Sequence, residues 1–158
     1  VFNVGGNVNF PIRETSYRVF YKVWMMCCLA GFLAGREAAR VMVPRAKGTI
    51  IFTGATASIL GRAGYSAFSS AKFGLRSVAQ CMARELGPEG IHVAHAIVDG
   101  AIDTKFTREN RKEMFKIRKN LPNMLNPNSI AETYYQIHLQ DRSSWTHEID
   151  LRPWSEPW

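Results

Sequence analysis

Between Thr53 and Lys72 the chain gathers groups that can hold or move a proton: the hydroxyls of Thr53, Thr56 and Ser58, the phenol of Tyr65 and the ammonium of Lys72. Such a set suits general acid–base chemistry at an oxygen, provided each partner comes within about 3.2 Å of the proton it transfers. Phe68, four places before Lys72, has no exchangeable proton, and Ala55, thirteen places before Phe68, has no hydroxyl. Ordinary roles also exist for these residues. A helical lysine commonly keeps its head in water, and Ser58 and Tyr65 suit local loop hydrogen bonds.

Other chemistries find less support. Three cysteines, two of them adjacent at Cys27 and Cys28, do not make a disulfide framework. His92 and His95 would point to opposite faces of a strand, so no metal site is expected. The cysteine usage suits a reducing cytosol and a cytoplasmic location. With 158 residues and 46% apolar content, the chain reads as a single domain, 1–158, with one core. No secretory signal pattern opens the sequence, which starts at Val1. The longest uncharged run, residues 23–35, is too short to span a bilayer, so a buried helix is expected and no membrane partner.

The net charge of +7 concentrates where Lys105, Arg108, Arg111, Lys112, Lys116, Arg118 and Lys119 crowd together. Glu109 and Glu113 stand three or four residues from several of these cations, which suits a solvated helix face. No nucleic-acid-binding motif accompanies them, so no nucleic-acid partner is expected.

The elements that must position the polar set follow from hydrophobic patterning. Residues 1–4 read as the end of a strand running into Gly5-Gly6, and residues 14–44 as a long helix, apolar through its middle. Residues 49–53 form a continuous β-rich run, as expected for a strand covered on both faces. Residues 55–65 read as a loop, and residues 66–86 as a second long helix stopped by Gly87-Pro88. A third strand at 91–98 ends at Asp99-Gly100; a basic helix is expected over 105–119 and an irregular connection over 121–128. A short helix at 130–139 and a last strand at 145–151 complete the pattern. Strands alternating with long helices predict an α/β layered domain built on a parallel sheet.

Five segments, in order and with matched spacing, resemble the short-chain dehydrogenase/reductase family from its fourth strand onward. Asn3-Val4-Gly5-Gly6 resembles its Asn-Asn-Ala-Gly motif, residues 49–52 its fifth strand, and Phe68 to Lys72 its Tyr-x-x-x-Lys motif. Residues 84–93 resemble the join between the next helix and the sixth strand, and residues 99–104 the Pro-Gly-x-x-x-Thr loop that contacts nicotinamide. The resemblance implies a Rossmann-like three-layer parallel sheet, and carbonyl or hydroxyl oxidoreduction with NAD or NADP on an unspecified small-molecule substrate. It implies cofactor contacts from Asn3, Gly6, Lys72, Gly100, Ile102 and Thr104.

The N-terminal βαβ units of the family pattern, with their Gly-rich pyrophosphate turn and the NAD/NADP selector, have no counterpart among these residues. The family's serine, tyrosine and helix asparagine correspond to Ala55, Phe68 and Cys28, and Lys72 alone of the catalytic set is kept. Impaired chemistry is therefore expected, with Tyr65 and Ser58 as displaced substitutes, or alternatively an inactive scaffold that binds cofactor or protein. The resemblance further implies a homo-oligomer packed through helices 14–44 and 66–86, whose apolar residues include Trp24, Phe32, Leu33 and Phe73.

Overall fold

The structure, a computed structural model, describes residues 1–110 and 124–155. Helix α1 (Tyr17–Trp24) opens at Ser16, whose hydroxyl accepts the Val19 N–H at 3.3 Å. The helix therefore begins three residues later than the sequence suggested, because the cap satisfies a free N–H at this point. It continues through a π-helical turn, Met25–Leu29, into α2 (Ala30–Met42) and a 3₁₀ turn ending at Arg45. By length and composition the run Tyr17–Arg45 could cross a bilayer, which the count of uncharged residues did not indicate. Here the run packs on the next long helix, α3 (Ser66–Leu86).

The main sheet has the order β1 (Gly48–Thr53), β2 (Ile91–Val98), β5 (Glu148–Leu151), all parallel. Phe2 adds a single parallel bridge to Phe52 on the outer side of β1. The last strand is shorter than the predicted 145–151, since Arg142–Ser144 form a 3₁₀ turn and the sequence re-enters the sheet only at Glu148. Two short strands, β3 (Ala101–Ile102) and β4 (Met124–Leu125), pair apart from it. The connection predicted as irregular thus contains a strand at 124–125. The basic segment is helical over α4 (Lys105–Asn110), and its remainder lies outside the described residues. Helix α5 (Pro127–Leu139) starts earlier than expected, with Asn126 as its cap and Pro127 at the first turn.

Strand alternation sorts the core into two faces. Ile50, Phe52, Ile91 and Val93 meet Leu75 and Ala79 of α3 on one side. Ile51, Ala94 and Ala96 meet Ile137 of α5 on the other. Full burial of side chains such as Phe52, Leu75 and Ile91 stabilises the fold by roughly 1.5–3 kcal/mol each. The sheet between two helical layers matches the Rossmann-like expectation. Close approach of α2 depends on two glycines: a Cβ on Gly31 would lie 2.4 Å from Leu75 Cδ1, and one on Gly35 would lie 2.8 Å from Phe52 Cζ.

Candidate active site

Parallel strands deliver their loops to one end of a sheet, and here the C-terminal ends of β1 and β2 open into a cavity of about 330 Å³. Asn3, Ala55, Thr56, Tyr65, Phe68 and Lys72 stand in its wall, joined from the far side by Gly100 and Ile102. Helix α3 starts beside it, so its first turns carry Phe68 and Lys72 inward on one face.

Lys72 is only 4% exposed, unlike the solvated helix lysine that composition alone would favour. Its Nζ donates to the Thr53 carbonyl at 2.7 Å and to the Val4 carbonyl at 3.4 Å. An ammonium has three donors, so one is left for the cavity. Burial pushes its pKa below the usual lysine range. The Phe68 ring centroid lies 5.9 Å from Nζ, within cation–π reach.

The π-helical turn places Cys27 where the Gly6 N–H donates to its Sγ at 3.1 Å. Burial raises the Cys27 pKa, and the nearby Lys72 charge opposes that shift. Cys28 faces elsewhere, against α3: a Cβ added to Gly74 would come within 2.8 Å of its Sγ. The thiol beside the lysine is therefore Cys27, one place before the residue aligned by sequence.

The predicted site residues separate into two groups. Asn3, Tyr65, Lys72, Gly100 and Ile102 line the cavity together. Ser58 lies outside its wall, fully buried, with its hydroxyl accepting the Ala55 N–H at 3.1 Å to close the tight turn after β1. Gly6 is turned toward Cys27 and its neighbour Gly5 lines the cavity instead. Thr104 caps α4, accepting the Thr107 N–H at 3.1 Å.

Two polar groupings were not anticipated. Thr56 donates its hydroxyl proton to Asp99 Oδ1, while Arg152 Nη2 donates to Asp99 Oδ2 at 2.6 Å. Behind Gly54, the fully buried His95 places Nδ1 2.9 Å from Glu148 Oε2, and Arg76 clasps Glu148 with contacts of 2.6 and 2.7 Å. Gly54 has to be glycine at this point, because a Cβ would stand 2.4 Å from His95 Nε2. Burial holds the His95 pKa below the usual imidazole range, against the pull of Glu148, and the Arg76 guanidinium holds Glu148 below the usual carboxylate range. The signal for both groupings was present as charged residues at the ends of apolar strands, at Asp99 and Glu148, but their partners lie more than forty residues away in sequence.

Comparisons with known proteins agree with this architecture. The sequence model of the family described as short chain dehydrogenase matches residues 1–114. A short chain aldehyde dehydrogenase 1 of Euphorbia lathyris is 34% identical over 90 residues, covering 57% of this chain and 31% of that protein. The solved structure of a short-chain dehydrogenase from Rhodopseudomonas palustris is 50% identical with a TM-score of 0.78, covering 97% of this chain and 60% of that one. A closed serine dehydrogenase complexed with NADP+ reaches a TM-score of 0.87 at 17% identity, covering 99% of this chain and 64% of that one, a likeness of fold. The chain thus spans about a third of the curated relative and about 60% of the solved one. Matched over most of its length by the family's sequence pattern, and folded as a Rossmann-like layered sheet with the motif lysine in its cavity, the chain belongs to the short-chain dehydrogenase/reductase family.

Proposed function

We propose that this chain forms the substrate pocket of a nicotinamide-dependent oxidoreductase that interconverts a carbonyl and an alcohol, with proton transfer slowed by Phe68 and Ala55. The observation that carries the reading is Lys72, a buried ammonium anchored by two carbonyls with one donor left to a cavity that Asn3, Gly100 and Ile102 also line. That donor, with the open backbone at Gly5, suits a hydroxylated ribose, so the residues present fit the nicotinamide-ribose end of such a nucleotide. When bound, such a nucleotide supplies or accepts the hydride. Lys72 holds the sugar side, and Tyr65 is the phenol in the same wall that can exchange a proton.

Titration with NADH and with NADPH tests the nucleotide role. The Lys72→Met variant is expected to bind at least about ten-fold more weakly, the scale of one lost charge-assisted hydrogen bond. Binding of neither nucleotide by the unmodified chain overturns the reading and leaves a protein-binding scaffold. Binding without hydride transfer to any of a ketone and aldehyde panel leaves an inactive cofactor-binding relative, which the loss of the phenol at Phe68 would explain.

The same reading includes self-association through α1, α2 and α3. Trp24, Phe32, Leu33 and Phe73 are between 36% and 42% exposed on these helices, more large apolar surface than scattered single residues account for. Sedimentation velocity is expected to show a dimer or larger species at micromolar concentration; a monomer there removes this part of the proposal.

A further inference from the structure

We infer that Thr56, locked by Asp99 and Arg152, is the substrate-orienting hydroxyl of this pocket, and that it meets its substrate as a hydrogen-bond acceptor. The inference concerns the same cavity as the oxidoreductase reading and rests on it only for the identity of the bound species as a substrate.

The family pattern places an orienting hydroxyl at the position of Ala55, which has none. The adjacent residue supplies one. Thr56 lines the cavity and opens the 3₁₀ turn Thr56–Ser58. That turn is pinned by the Ser58 N–H to the Ala55 carbonyl at 2.8 Å and by the Ile59 N–H to the Thr56 carbonyl at 3.1 Å. The hydroxyl is thus held on a fixed backbone.

Its orientation is fixed as well. An ionised carboxylate only accepts hydrogen bonds, so the proton between Thr56 Oγ1 and Asp99 Oδ1 belongs to the threonine. Asp99 is 7% exposed, and Arg152, itself held by Asp150 at 3.0 Å, donates to its other oxygen and fixes it in place. Asp99 also stands where the family's loop motif has proline, so the acceptor that turns Thr56 belongs to this chain's departure from the pattern. With its only proton committed, Thr56 Oγ1 offers lone pairs to the cavity. A substrate hydroxyl that donates to it is favoured. A ketone oxygen facing it finds no donor and is disfavoured, because a site built for a hydroxyl leaves its own polar atom unpaired against the analogue that lacks one. Asp99 and Arg152 act through Thr56 and are positioning residues.

The test is a saturation-transfer NMR titration of the 158-residue chain with cyclohexanol and with cyclohexanone, two probes of similar bulk and opposite polarity at one atom. Cyclohexanol is expected to bind at least about five-fold more tightly. The near-isosteric Thr56→Val is expected to bring the two within about two-fold, and Thr56→Ser to keep the preference. Equal binding of both, a preference for the ketone, no binding of either, or an unchanged preference in Thr56→Val overturns the inference. The unmodified chain already reads out the preference, so the test stands even if a variant fails to fold. Because nucleotide titration is a separate measurement, lost nucleotide binding with a retained alcohol preference sinks the oxidoreductase reading alone.

Discussion

Replacing Phe68 with tyrosine is expected, under the proposed function, to raise the rate of nicotinamide-dependent carbonyl reduction by about 10²–10⁴-fold, the range a positioned proton donor contributes. Phe68 is 8% exposed and lines the cavity, so the substitution adds a hydroxyl to a ring already in the cavity wall. The Lys72 ammonium already lies 5.9 Å from the ring centroid and has one uncommitted donor, so a phenol there gains a cationic neighbour that lowers its pKa. Single-turnover oxidation of bound reduced nucleotide is the measurement, made for the parent, Phe68→Tyr and Phe68→Tyr combined with Lys72→Met. The double variant is expected to lose most of the gain, since the phenol then lacks its cation. A Phe68→Tyr rate within about three-fold of the parent would mean that proton delivery by Tyr65 is already adequate, or that position 68 does not face the reacting oxygen.

That prediction turns on one residue, and Phe68 could be singled out from sequence because motif spacing is a local property. The layered sheet and the two long helices were legible for the same reason: hydrophobic runs and glycine stops act over short distances. What the sequence could not show was direction. Ser58 and Thr56 are two residues apart and chemically alike, yet the tight turn after β1 sends Ser58 inward to cap it and leaves Thr56 at the cavity. The π-helical turn at Met25–Leu29 rotates the helix so that Cys27, not Cys28, meets Gly6 beside Lys72. A single inserted residue in a helix changes which face a side chain occupies, and no periodicity argument anticipates it. The long-range pairs of Asp99 with Arg152 and of His95 with Glu148 depend on β5 docking beside β2.

The second of those pairs sets the larger stability effect. Replacing Glu148 with alanine is expected to cost about 2–4 kcal/mol at neutral pH, more than an exposed ion pair would, because His95 is fully buried and its Nδ1 would be left without a partner. Arg76 is 30% exposed at its side chain and regains water, so its share of the loss is small. The pH dependence distinguishes this account from simple loss of packing. The folded pKa of Glu148 is depressed, chiefly by Arg76, so its contribution is present above roughly pH 4.3 and lost as pH falls through the folded value. The folded pKa of His95 is depressed by burial, so the unfolded chain takes up that proton first, and stability declines as pH falls below roughly 6.5. In Glu148→Ala the carboxylate contribution is gone while the buried imidazole stays, now without the carboxylate that favoured its charged form. Urea midpoints at pH 7, 5 and 3.5 are therefore expected to show both proteins weakening below pH 6.5. The gap between them should widen from pH 7 to pH 5, where the variant's folded imidazole is the harder to protonate, and close toward pH 3.5, where Glu148 of the parent gains its own proton. A loss under about 1 kcal/mol at pH 7, or a gap constant across the three conditions, would show that Glu148 acts as a spacer beside His95 and not as its charged partner.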